Sequence, residues 1–261
     1  MLRRLIFASA LLALALAAFA QAEIKQQGDL RVTFRGELTP HALPRSGTAP
    51  VKVAVGAKIA TTNGSNPPQL RKITIAINRN GRFDPAGLPR CSLRDIQPST
   101  TEDALRSCRS SLVGEGSFSA RVLLPQQAPF PSAGKVFAFN GTFDGKPAIL
   151  AHVYGTSPIP TSYTIPFQIS QGRGTFGTVL SASLPQVTSE WGYVTGLQIV
   201  LGRTFNFHGQ RRSYLSAGCP APPGFPGASF AFAKASFAFA GRGTITSVLN
   251  RSCGARALRE P

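Results

Sequence analysis

The sequence predicts an all-β protein, an antiparallel β-sandwich with one short helix. Three observations predict it. Apolar and polar residues alternate along many short segments, as strands with one buried face require. Between those segments stand Asn-Gly and Asp-Gly dipeptides, which accept the positive φ of tight turns. Charged residues make only 15% of the 261-residue chain, too few for a charge-patterned helical bundle or coiled coil.

The first segment is read as an export signal, not as part of the fold. Residues 1–22 carry Arg3 and Arg4, an apolar Leu/Ala run from Leu5 to Phe19, and the small-residue pattern Ala20-Gln21-Ala22. The run is shorter than the roughly 20 apolar residues that span a bilayer. Cleavage after Ala22 is expected, and it lowers the net charge from +17 to +15. No comparable apolar run follows, so the mature chain is expected to have no transmembrane segment and to lie in the cell envelope or be secreted.

Strands follow in order. Val32 and Phe34 alternate, then Val51, Val53 and Val55, then Ile73, Ile75 and Ile77, with turns at Asn63-Gly64 and Asn80-Gly81. Phe118, Ala120, Val122 and Leu124 give another strand. Val136 to Phe139 and Ala148 to Tyr154 form a hairpin expected to turn through Asn140-Gly141 and Asp144-Gly145. Further strands lie at 163–169, 175–184, 197–207, 214–217, 229–240 and 244–249, with a hairpin turn at His208-Gly209. The repeated Ala-Ser-Phe-Ala-Phe-Ala at 228–233 and 235–240 puts Phe230 and Phe232 on one parity and Phe237 and Phe239 on the other. One face can hold both pairs only with a bulge or bend near Lys234.

The helix is marked by Ser99-Thr100-Thr101-Glu102, a capping-box pattern with Ser99 as N-cap. Asp103 in the first turn and Arg106 and Arg109 in the last suit the helix dipole. Ala104, Leu105 and Cys108 share its inner face. A break from Gly155 to Thr161 suggests two immunoglobulin-like sandwiches, 23–157 and 158–261; one continuous sandwich over 23–261 is the alternative.

Cys91, Cys108, Cys219 and Cys253 allow three pairings. The local one, Cys91 with Cys108 and Cys219 with Cys253, is expected. A zinc site would want closely spaced Cys or His ligands, and this chain has neither a C-x-x-C pair nor a His near any Cys.

Catalytic patterns are scarce, and no catalytic, cofactor-binding or metal residue is assigned. Gly172 to Gly177 matches G-x-G-x-x-G, but strand alternation follows it where a phosphate-binding helix should begin, so it reads as a turn. His152 and His208 read as a structural and a solvated imidazole. Asn78, Asn80 and Asp84 offer one carboxylate where a calcium loop needs several. Glu190, Trp191 and Tyr193 are candidate glycan-binding residues, because aromatic faces stack on sugars and a carboxylate accepts from their hydroxyls. The chain holds 21 Arg and 7 Lys against 11 acidic residues, a balance that draws polyanions at long range. Arg203, Arg211 and Arg212, around the His208-Gly209 turn, are candidate anion-binding residues. The charge is scattered rather than clustered, which gives no sign of specific nucleic acid recognition.

The segments Gly87-Leu88-Pro89-Arg90-Cys91, Phe139-Asn140-Gly141, Ala217-Gly218-Cys219-Pro220-Ala221-Pro222 and Phe237-Ala238-Phe239-Ala240-Gly241 resemble a group of uncharacterised secreted bacterial proteins. The resemblance implies secretion and two local disulfides, and it carries no activity. The expected function is an exported, non-catalytic binding or structural module, with anionic cell-wall polymer, polysaccharide or an envelope protein as partner. An extracellular glycan hydrolase and an outer-membrane β-barrel are the alternatives.

Overall fold

A computed structural model of the protein describes residues 22–97, 99–123, 126–156, 160–184 and 192–256. Residues 1–21 of the expected signal peptide lie outside that range, as do Glu190 and Trp191. The all-β class holds. The first strands are β1 (Ala22–Gln27), β2 (Leu30–Thr39), β3 (Ala42–Pro44), β4 (Ala49–Pro50), β5 (Lys52–Thr61), β6 (Leu70–Asn78) and β7 (Gly81–Phe83). Two helical turns follow, Leu93–Ile96 and Thr101–Cys108, then β8 (Leu112–Val122), β9 (Phe130–Phe143), β10 (Lys146–Gly155) and β11 (Thr161–Gln171). The chain continues as β12 (Phe176–Ser183), β13 (Gly192–Leu201), β14 (Thr204–Phe207), β15 (Gln210–Ser213) and β16 (Leu215–Ala217). It closes with β17 (Gly227–Phe239) and β18 (Gly243–Arg256).

Thirteen strands form one curled sheet in the order β1-β2-β5-β13-β8-β9-β10-β11-β12-β6-β17-β18-β3. The sheet is mixed, because β3 runs parallel to β18 and the other pairs are antiparallel. β14-β15 is a separate hairpin, and β4-β16-β7 a small second sheet. The stretches 23–157 and 158–261 interleave in the large sheet. β13 lies between β5 and β8, and β6 lies between β12 and β17.

The curl brings β18 against β1 and β2. Side chains hold this seam. Arg251 Nε donates to the Gly36 carbonyl at 2.6 Å, and Arg242 pairs with Asp29 at 3.0 Å near the sheet's corner. Gly36 leaves room for this packing, since a Cβ would lie 2.8 Å from Leu249 and 3.1 Å from Phe232 and would have to displace their side chains. Inside, alternate residues such as Val32, Phe34, Ile73, Val136, Ile149 and Phe237 form the main core. Phe34 and Phe237 meet edge to face at 6.1 Å, so β2 and β17 touch across the interior.

The Phe repeat bends as its parity demands. The register of β17 against β18 shifts between Ala231 and Ala233, close to the expected Lys234, and Phe232, Phe237 and Phe239 are all buried.

Both faces of the β9–β10 hairpin are covered, which is why its residues read as nearly unbroken apolar runs. One face joins the main core. The other, with Phe137, Phe139, Ala148 and Leu150, lies under the helices with Ile96 and Ala104. The disulfide Cys91–Cys108 staples that cover, and Cys219–Cys253 ties the β16 end to β18.

Two local expectations are corrected. Asn140-Gly141 is not a turn: β9 runs on to Phe143, and the turn is Asp144-Gly145, with φ of 49° and 71°. Gly141 instead lets the backbone at Cys91 approach, because a Cβ would sit 2.5 Å from the Cys91 carbonyl. The Asn140 carbonyl accepts from the Cys91 amide at 2.8 Å, and its side-chain amide donates to Pro89 at 3.0 Å. The helix cap lies one residue later than expected. Thr100 is the N-cap and accepts from the Asp103 amide at 3.2 Å, while the Ser99 hydroxyl is drawn back to the Ile96 carbonyl at 2.7 Å. Glu102 pairs with Arg106 instead of returning to the cap.

Candidate functional site: an outer groove

The outer faces of β2, β5, β13 and β8 enclose an open groove of about 750 Å³. Strand parity builds it. Val53, Val55, Ala57 and Ile59 of β5 face the core, so Ala54, Gly56 and Lys58 face out; on β2 the outward set is Thr33, Arg35 and Glu37. Register sets Gly56 beside Arg35 on one side and Gln198 on the other. Gly196 likewise lies beside Lys58 and Ser119.

The two glycines keep the floor low. A Cβ on Gly56 would lie 3.1 Å from the Leu197 carbonyl, and one on Gly196 would lie 2.7 Å from Ser119 Oγ. Between Val194 and Gly196 the register of β13 slips, a bulge of the kind that re-aims a side chain. Thr195 Oγ1 thereby donates to Ser119 Oγ at 3.0 Å. Ser117, Ser119, Thr195 and Gln198 supply hydroxyl and amide groups to one wall.

Charge on the rim is mostly positive. Arg35, Lys58 and Arg251 line the groove, with Glu37 as the one carboxylate among the described residues of its lining. Glu37 faces His41 Nε2 at 3.4 Å. No salt bridge among the described residues engages Arg35 or Lys58. Arg251 is partly held by the seam; burial lowers its pKa, against the pull of Glu23 and Glu37. A groove so lined can hydrogen-bond sugar hydroxyls and neutralise acidic groups along an extended chain.

Comparison of the chain with protein-family models, curated proteins and solved structures finds no match.

The residues singled out from sequence lie elsewhere. Arg203 Nη1 donates to the carbonyls of Arg109, Ser110 and Leu112 at 3.3, 2.6 and 2.8 Å, capping the end of the helical segment. Arg212 pairs with Asp84 at 3.4 Å and lies over the Phe207 ring at 5.5 Å. Arg211 is exposed opposite Asn206 on the β14–β15 hairpin, whose turn is His208-Gly209 as expected. Tyr193 is half-buried at the start of β13, opposite Arg121. Gly172 to Gly177 is the turn between β11 and β12, closed by the Gly172 amide on the Gly177 carbonyl at 3.0 Å. Asn78 is buried and folds the β6–β7 turn, accepting from the Asn80 amide at 3.0 Å.

His152 is fully buried on the helix-covered face of β10, directly opposite Thr164. Neither ring nitrogen has a hydrogen-bond partner among the described residues, and the Thr164 hydroxyl is likewise unpartnered. Burial pushes the imidazole pKa below its ordinary value, and the nearby Ile96 backbone opposes this more weakly.

Sequence reading missed Arg35, Lys58, Ser119, Thr195 and Gln198. The available signal was parity: Thr33, Arg35 and Glu37 alternate with core residues, as do Ser117 and Ser119. What no local pattern shows is that residues near 56 and near 198 are neighbours.

Proposed function

We propose that the protein is an exported, non-catalytic binding module of the cell envelope or extracellular space, and that its outer groove holds an acidic polysaccharide chain. The groove carries this reading: a glycine floor at Gly56 and Gly196, a wall of hydroxyl and amide groups, and a rim of Arg35 and Lys58. Two disulfides suit an oxidising compartment, in keeping with the expected signal peptide at 1–22. On this reading the curled sheet is the scaffold, with its apolar side chains turned inward into the core. A transmembrane barrel would place an apolar belt on the outside; here the outward positions include Arg35, Lys58 and Gln198.

The test is binding of the oxidised protein to a polyuronate, a neutral glucan and DNA at about 150 mM salt, where long-range attraction is screened. The reading expects the polyuronate to be preferred, and Arg35→Gln with Lys58→Gln to weaken it at least tenfold. Equal, salt-labile binding to every polyanion would overturn it.

A further inference from the structure

A second basic site lies outside the groove and shares no residue with it. Loop residues after β3, the β6–β7 turn and the end of β16 enclose a pocket of about 230 Å³. Arg45, Arg79 and Arg82 line it together with Asn80 and Thr48, and among the described residues no carboxylate does. Three like charges around so small a space repel one another unless an anion joins them.

The pocket is built, not a loose gathering of surface side chains. Its walls are tied together: the Gly218 amide donates to Asn80 at 3.0 Å, the Cys219 amide donates to Pro44 at 2.9 Å, and Cys219 is bridged to Cys253. Gly218 is needed for the fit, since a Cβ there would lie 2.5 Å from the Gly47 carbonyl. Two guanidinia are anchored at one nitrogen each. Arg45 Nη2 donates to the Phe225 carbonyl at 2.6 Å, and Arg79 Nη2 donates to the Gly174 carbonyl. A guanidinium has five N–H donors in a fixed fork, so each anchor orients its fork and leaves most donors unused.

We infer that this pocket binds a single tetrahedral oxyanion, phosphate or sulfate. Arginine forks match the paired oxygens of such an ion. The volume equals about eight waters at roughly 30 Å³ each, room for an oxyanion with part of its hydration shell and too little for a polymer chain. The ion is either free or the end group of an ester, and the two sources share this chemistry.

The experiment is calorimetric titration of the oxidised protein with sodium phosphate, sodium sulfate, a sugar phosphomonoester and sodium chloride at matched ionic strength. The inference expects saturable one-site binding of phosphate or sulfate and none of chloride. Binding of the phosphomonoester at least as tight as that of inorganic phosphate would assign the site to an ester end group, and weaker binding would assign it to the free ion. Arg82→Gln, at an exposed residue whose side chain has no hydrogen bond or ion pair among the described residues, should weaken binding about tenfold, the loss of one charge-assisted contact. Arg45→Lys keeps the charge and loses the fork, and should weaken it as well. Lys58→Gln in the groove should leave it unchanged, which separates this site from the polysaccharide reading. Heats no larger than those of chloride, or equal losses from Arg82→Gln and Lys58→Gln, would overturn the inference.

Discussion

Arg251 Nε donates to the Gly36 carbonyl at 2.6 Å, joining β18 to β2 where the two ends of the sheet meet. The contact is charge-assisted and partly shielded from water, the kind that contributes about 1.5 to 3 kcal/mol. Arg251→Met should lower the unfolding free energy by about that much in urea titration. Gly36→Ala should also destabilise, by about 1 to 3 kcal/mol of overpacking, because its new methyl meets Leu249 and Phe232. Two variants of wild-type stability would mean that the seam is held by something else.

Removing either disulfide should be costly, somewhat more so for the longer loop. The sequence separations are 17 residues for Cys91–Cys108 and 34 for Cys219–Cys253, for which chain-entropy arguments give about 3 and about 4 kcal/mol. Thermal melts of the paired Cys→Ala variants check this. Loss of Cys91–Cys108 should also increase dye binding to exposed apolar surface, since Phe137, Phe139 and Leu150 lie under the helices that it staples.

His152 should make the fold acid-sensitive. Its pKa is depressed in the folded state by burial, so the unfolded chain binds the proton more tightly. Stability is therefore full above the unfolded value of about 6.5 and falls as the pH drops below it, by at most about 1.4 kcal/mol per pH unit, until the folded pKa is passed. His152→Leu should flatten the urea midpoint against pH between about 6.5 and 5. An unchanged slope in that variant would show that other groups control the acid limb.

Gly141→Ala tests the docking of the Cys91 segment on β9. The added Cβ would meet the Cys91 carbonyl at 2.5 Å and Leu150 at 2.8 Å, and a loss of about 1 to 3 kcal/mol is expected. Gly145→Ala meets no atom within 4 Å; its cost should be the smaller one of a left-handed turn position, about 1 kcal/mol.

Gly196→Val would raise the groove floor beside Ser119, where a Cβ already approaches to 2.7 Å. It should abolish polyuronate binding while leaving phosphate binding in the Arg45 pocket intact. Pull-down with the polymer and titration with phosphate read the two separately.

Much of the scaffold was legible in the sequence because local physics decides it. Parity forced a break between Phe232 and Phe237, and β17 bulges within two residues of the expected place. His208-Gly209 is a turn because both residues take positive φ, 49° and 74°. The same reasoning failed at Asn140-Gly141, since a glycine serves a tight turn and a close backbone approach equally well. Capping failed by one residue because Ser99 and Thr100 both suit an N-cap, and the Ile96 carbonyl claims the first. The groove was not legible, because Gly56 and Gln198 become neighbours only through the pairing of β5 with β13. The partners of Arg203 and Arg212 were not legible either, because a basic side chain looks the same in sequence whether it faces solvent, satisfies carbonyls at a helix end as Arg203 does, or pairs with a carboxylate as Arg212 does.

The insertion of β13 between β5 and β8 also makes one late segment the partner of two earlier ones. Without residues 192–201, β1-β2-β5 and β8-β9-β10 would be two separate patches, each with an unpaired border. Strand borders left open in this way invite pairing with other chains. β13 therefore protects the sheet at two borders at once.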